Sequence, residues 1–162
     1  MQKITQWPLG IVVALLIGLT STTASAHGDV VPHPVDTTGL KALGTDWAKA
    51  NPYRGDKKAE AIGLVGYEQN CAGCHGLYAT SGGVAPDLLK LEVDCLDMAS
   101  KDAKESCLQD ADDFFKEVTL KGKKNSEGRY TMPAYSSVFT QEAVWAVKAY
   151  IDARTIEENS KK

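Results

Sequence analysis

The chain is short of several things. Aromatic residues make up 7% of its 162 residues, and it holds only three histidines, three methionines and four cysteines. No tract is of low complexity and no unit recurs at a fixed period, which excludes solenoids and arrays. No segment alternates apolar and polar residues sharply enough to read as a strand. A basic surplus is also missing: 18 Lys and Arg stand against 21 Asp and Glu, a formal charge of −3. A general nucleic-acid binder needs a basic face to offset phosphate repulsion, so that class is set aside. The apolar run from Leu9 to Leu19 is too short to span a bilayer, which takes about 20 residues.

What is there fits one globular domain, 43% hydrophobic and 24% charged, with ends that read differently from the middle. Lys3, the apolar run and Ala24-Ser25-Ala26 follow the order of a secretory signal, with cleavage expected after Ala26. Residues 1–26 are therefore expected to direct the chain to the periplasm and to leave no membrane anchor behind. Residues 27–56 are rich in Pro and Gly and read as an irregular arm, with at most a turn of helix near Asp46 to Ala50. Trp47 and Tyr53 are expected to pack it onto the domain at 57–155. A charged tail, 156–162, is expected to fray.

Within the domain the periodicity is helical. A first helix is expected from about Asp56, a fitting N-cap, to Asn70. Gly63 and Gly66 are poor helix formers at about 1 kcal/mol each, which makes sense where another helix crosses closely. A loop rich in Gly covers 76–90. A short helix is expected between Asp94 and Cys107, and another from near Asp110, where Asp112 and Asp113 suit a helix N-terminus, to Gly122. Lys121 to Gly128 reads as an exposed turn. The last helix is the clearest, capped by Thr140, with Val144, Val147, Lys148 and Ile151 on one side. The fold class expected is all-α.

Cys71-Ala72-Gly73-Cys74-His75 carries the strongest chemical signal. C-x-x-C-H is the pattern of covalent haem attachment: two thiols form thioethers and the adjacent imidazole ligates iron. A thioredoxin-like dithiol would want a βαβ context, which is absent. Half of a zinc site would want a second ligand pair, and Cys95 and Cys107 are too far apart for a short knuckle. One haem c is therefore the expected cofactor, held by Cys71, Cys74 and His75.

A second axial ligand is sought next. Met132 precedes Pro133 in a loop before the last helix, and Pro133 keeps that loop extended. A Met thioether is a usual partner in electron-transfer haem. Met98 is the rival methionine, and His27 and His33 are rival nitrogens, all less well placed. Met132 is the expected ligand. Export favours pairing of Cys95 with Cys107. That disulfide closes a loop of about a dozen residues and is worth about 3 kcal/mol.

The arrangement Gly63-x-x-x-Tyr67-x-x-x-Cys71, then the attachment motif and Gly76, then Ala85-Pro86-Asp87-Leu88, Met132-Pro133 and Glu142-x-x-Trp145-x-x-x-x-Tyr150-Ile151 resembles class I cytochrome c. The resemblance implies a haem enclosed by helices and long loops, with Gly63 and Tyr67 meeting Trp145 and Tyr150. It also implies that the Pro86 carbonyl orients the His75 ring. His27-Gly28-Asp29-Val30-Val31-Pro32, Asp36-Thr37-Thr38-Gly39-Leu40, Asn51-Pro52-Tyr53-Arg54-Gly55, Ser81-Gly82-Gly83 and Asp94-Cys95-Leu96 are similar to the PedF-type cytochromes. Those accept electrons from quinoprotein (PQQ) alcohol dehydrogenases. By this resemblance the partners are such a dehydrogenase as donor and a downstream cytochrome or terminal oxidase as acceptor. The expected function is one-electron transfer, not catalysis. The alternatives are a haem enzyme or gas sensor with a weak sixth ligand, and a dithiol oxidoreductase. Lys121, Lys123 and Lys124 read as a solvated turn, or as a patch for an acidic partner near the haem edge.

Overall fold

The computed structural model describes residues 31–161. The expected signal segment, its cleavage point after Ala26 and His27 lie outside the described residues. The architecture is all-α. Helix α1 spans Lys57–Asn70, and a single turn, α2, spans Ala72–His75. Two 3₁₀ turns follow, Leu77–Ala79 and Leu88–Lys90, then the short α3, Val93–Leu96. Long α4, Lys101–Lys121, and α5, Gln141–Asn159, complete the helices. Between them β1, Lys123–Lys124, pairs antiparallel with β2, Tyr130–Met132.

The helix ends follow local chemistry. The Asp56 carboxylate accepts from the amides of Lys58 at 2.8 Å and Ala59 at 3.1 Å, so α1 starts where a cap is available. The Thr140 hydroxyl does the same for α5, accepting from Ala143 N at 3.2 Å. Helix α4 ends at Gly122, whose φ of 69° favours a residue without Cβ.

Packing centres on α5. Its residues from Ala143 to Asp152 are all buried, so the expected one-sided apolar stripe is corrected to a helix enclosed all round. α1 crosses it at Gly63: a Cβ there would run into the Ala146 carbonyl and reach within 3.0 Å of Tyr150 Cβ. Tyr67 and Tyr150 meet at 5.2 Å between ring centroids. Trp145 turns the other way, edge-on to Trp47 at 6.2 Å.

Four other expectations are corrected. The helix expected from Asp110 begins at Lys101, where the Ser100 hydroxyl accepts from Ala103 N. Nothing between Ser100 and Gly122 breaks a helix, so one element runs through, and Asp112 lies buried in mid-helix. No helical turn forms at Asp46 to Ala50. The arm instead lies on α5, with Leu43 N donating to Glu142 at 2.9 Å and Ala48 N to Gln141 at 2.7 Å. The C-terminal tail does not fray after Arg154, because Arg154 and Lys161 pair with Glu157 and Glu158 on successive turns and the helix continues to Asn159. Finally, the exposed turn after Lys121 contains a two-stranded hairpin too short for a periodicity to reveal.

A charged cluster sits in the core. Lys148, fully buried, contacts Glu92 at 2.6 Å, Asp112 at 3.2 Å and Asp152 on the next turn. Arg54, reaching in from the arm, contacts Glu92 at 3.0 Å, Asp112 at 2.7 Å and Asp152 at 2.9 Å. Asn51 adds its backbone amide to Asp112 and its side-chain amide to Asp152. Glu92, Asp112 and Asp152 are close enough together to offer ligands to a metal ion, but two cations already occupy the space among them.

Candidate functional site

The attachment motif begins at the C-terminus of α1. Cys71 N donates to Tyr67 O at 2.8 Å, and Cys74 N and His75 N both turn back to Cys71 O. This tight turn sets both thiols and the imidazole beside one cavity of about 300 Å³. The Tyr67 hydroxyl closes the turn from below, donating to Gly76 O at 2.6 Å. Cys95 and Cys107 form a disulfide that ties α3 to α4, which leaves Cys71 and Cys74 as the pair at the cavity.

The His75 ring is held. Its Nδ1 lies 2.8 Å from the Pro86 carbonyl oxygen, which fixes Nδ1 as the donor and leaves Nε2 as the free ligand atom. Pro86 also lines the cavity, with Ala85, Leu88 and Leu91. From the far side of the sequence, α4 contributes Phe115 and Val118, and the loop after β2 contributes Pro133 and Tyr135. β2 itself contributes Met132, expected in a loop but made the last strand residue by its pairing with Lys123. Met132 is half-buried at the cavity. Its position is set by the ladder with Lys123 and by close approach to Gly122, where a Cβ would lie 2.5 Å from Met132 O.

The rival ligands stand elsewhere. Met98 is in the turn after α3 and 40% exposed, and His33 is exposed in the arm. Neither lines the cavity.

Burial, with Cys74 beside it, raises the pKa of the Cys71 thiol. A thioredoxin-like dithiol centre sits in a βαβ unit, whereas these two thiols lie at the end of one helix of an all-α fold. The arrangement fits a haem instead: an apolar enclosure, two thiols and an oriented imidazole at one wall, and a thioether sulfur among the lining groups. Cys71, Cys74, His75, Pro86 and Met132 are thus brought together from three separate stretches of chain.

Comparison with known proteins agrees with that geometry. A family described as cytochrome c oxidase, cbb3-type, subunit III matches residues 58–151. The chain belongs to the cytochrome c family. It is 40% identical over 149 residues to cytochrome c550 of Pseudomonas aeruginosa, covering 89% of this chain and 92% of that one. No solved structure matches. The match to the family covers α1 through most of α5 and so contains every element that lines the cavity of this cytochrome. Among the described residues, no helix is long and apolar enough to cross a membrane.

Sequence reasoning missed the charged core beside this site. Lys148 and Asp152, four apart on α5, were its one local signal. Glu92 and Leu91 are neighbours in sequence, yet one ends in the cluster and the other at the cavity.

Proposed function

We propose that this cytochrome is a periplasmic carrier of single electrons on one covalently attached haem, and that it is not an enzyme. Cys71 and Cys74 would form its thioethers, and His75 and Met132 would ligate its iron. Haem bound there supplies a one-electron couple. The chain supplies the rest. The Pro86 carbonyl holds the His75 Nδ1 proton, which orients the ring and raises the basicity of Nε2. Met132 would offer the iron a second ligand, a soft, neutral sulfur, which would favour the reduced state and leave no open site for a substrate. Burial by Phe115, Leu88 and Leu91 excludes water. The bond between His75 and Pro86 at 2.8 Å is the observation that carries this reading, because a surface histidine beside a dithiol has no need of it.

The donor in this reading is a quinoprotein alcohol dehydrogenase and the acceptor a downstream cytochrome or terminal oxidase. Sequence resemblance across the mature chain supports the donor. Surface charge supports it as well. Lys123 packs over Phe114 at 5.2 Å and Lys124 over Tyr130 at 4.6 Å, and neither has a carboxylate partner among the described residues. Lys123 and Phe114 are at the cavity itself, so a basic, partly apolar rim faces outward there. That rim suits an acidic partner surface.

Rapid mixing of the oxidised protein with a purified, substrate-reduced quinoprotein alcohol dehydrogenase tests the partner. The expected result is haem reduction whose rate saturates and falls with added salt. No reduction above a non-cognate dehydrogenase would remove this donor.

A further inference from the structure

We propose that Tyr135 is a positioning residue that latches the Met132 loop to the haem-attachment turn, and so sets how readily an outside ligand displaces Met132. This rests on Met132 as axial ligand. Tyr135 lies three residues beyond Met132 and is 2% exposed. Its hydroxyl donates to Asn70 O at 2.7 Å, a buried bond between residues 65 apart in sequence. Asn70 ends α1, where helix carbonyls lack their ordinary helical partners, and it directly precedes Cys71. The acceptor is itself anchored: Asn70 Nδ2 donates to Gly66 O at 3.0 Å, and its Oδ1 accepts from His33 N at 2.8 Å.

Tyr135 grips the other side as well. Its backbone N–H donates to Thr119 O on α4 at 3.0 Å, and its ring packs on Phe139 at 4.8 Å. Burial raises the phenol pKa, so the hydroxyl remains a donor throughout the working range. One residue thus joins the end of α1 through its hydroxyl, the end of α4 through its backbone, and the loop that directly follows Met132. Opening that loop breaks the bond to Asn70. Deleting the hydroxyl removes this cost of opening and leaves the ring in place.

The test is imidazole binding to the oxidised holoprotein, read by loss of the sulfur-to-iron visible band. Tyr53 is the control. It is 3% exposed and its hydroxyl also donates to a backbone carbonyl, that of Lys41, but it sits in the arm. Tyr135→Phe is expected to bind imidazole about fivefold more tightly than wild type, the worth of one ordinary hydrogen bond. Tyr53→Phe is expected to bind as wild type. Wild-type affinity in Tyr135→Phe overturns the proposal. So does an equal gain in both variants, which is general loosening, or a Tyr135→Phe protein that takes up no haem. If wild type has no sulfur-to-iron band, or Met132→Ala keeps it, the ligand assignment fails and the proposal with it. That failure is separate, since it shows in proteins whose Tyr135 is intact.

Discussion

Two neighbours on α5 face unlike interiors. Val147 lines the apolar cavity, and Lys148 ends among Glu92, Asp112 and Asp152. The cavity is largely apolar, with two thiols, an imidazole and a thioether among its lining groups. The cluster is closed, charged and assembled from four stretches of chain. Burying ions costs desolvation that their attraction only partly returns, and removing one partner leaves charge stranded. Damage to the cluster should therefore show as lost stability with the haem signature intact. Damage to the cavity groups should show as changed ligation in a protein that still folds.

The largest effect expected tests the closed side. Lys148→Met leaves three carboxylates facing one guanidinium, and should cost about 3–5 kcal/mol by denaturant unfolding. The sulfur-to-iron band of the folded fraction should be unchanged. A cost below about 1 kcal/mol, within the range of exposed pairs, would erase the contrast between the two regions.

Next comes the disulfide that ties α3, beside the cluster, to α4, which serves both sides. Replacing Cys95 and Cys107 together by Ser frees a loop of about a dozen residues and should cost about 3 kcal/mol. Haem attachment should persist, since a different pair of thiols serves it. Equal loss of bound haem, measured by mass spectrometry, would show that the two regions are not independent.

A pH dependence sharpens the contrast further. Three carboxylates face two cations, and the surplus falls on Asp152. Burial, with Glu92 beside it, raises Asp152 from 3.8 to about 7 despite Lys148 and Arg54. The folded state therefore holds this proton more tightly than the unfolded chain. Its contribution to stability is complete below 3.8 and is lost as pH rises towards about 7. Glu92 works oppositely: burial opposes its charge, but Lys148 and Arg54 hold its pKa below the ordinary value, so its contribution is lost as pH falls. Asp152→Asn should abolish the decline on the way up to neutrality and keep the acid limb. An unchanged slope between pH 4 and 7 would place the surplus charge elsewhere.

The smallest effect lies far from both interiors. Ser100→Ala removes the cap of α4 and should cost about 1 kcal/mol, with no change in ligation or in pH slope.

The two regions also differ in how far the sequence discloses them. The attachment motif is contiguous, so its chemistry is legible from residues 71 to 75. The helix signals at Asp56, Thr140 and Gly122 are equally local and correspond to real ends. Pro86 came from family resemblance, and the structure places its carbonyl on His75. The cluster is the opposite case. Arg54, Glu92, Asp112 and Lys148 come from different stretches, and each reads alone as an ordinary surface charge. Asp112 beside Asp113 even suggests a helix N-terminus near Asp110, because an acidic pair near that terminus is the commoner arrangement. Only a lysine within the apolar stripe of Val144, Val147 and Ile151, with Asp152 one turn on, hinted at a buried charge. The hairpin escaped for a simpler reason: strands of two and three residues are too short to show a period.

The central claim is that His75 and Met132 hold one haem between them. Redox titration followed by visible spectroscopy on wild type, Met132→Ala and Met98→Leu tests it most directly. Met98 is 40% exposed in a turn, and exchange for Leu nearly preserves volume. Met98→Leu should match wild type in potential and band. Met132→Ala should lose the sulfur-to-iron band, fall in potential and bind carbon monoxide when reduced, because the sixth position is then open. A Met132→Ala protein that keeps the band and the wild-type potential, or a Met98→Leu protein that loses them, would contradict the assignment.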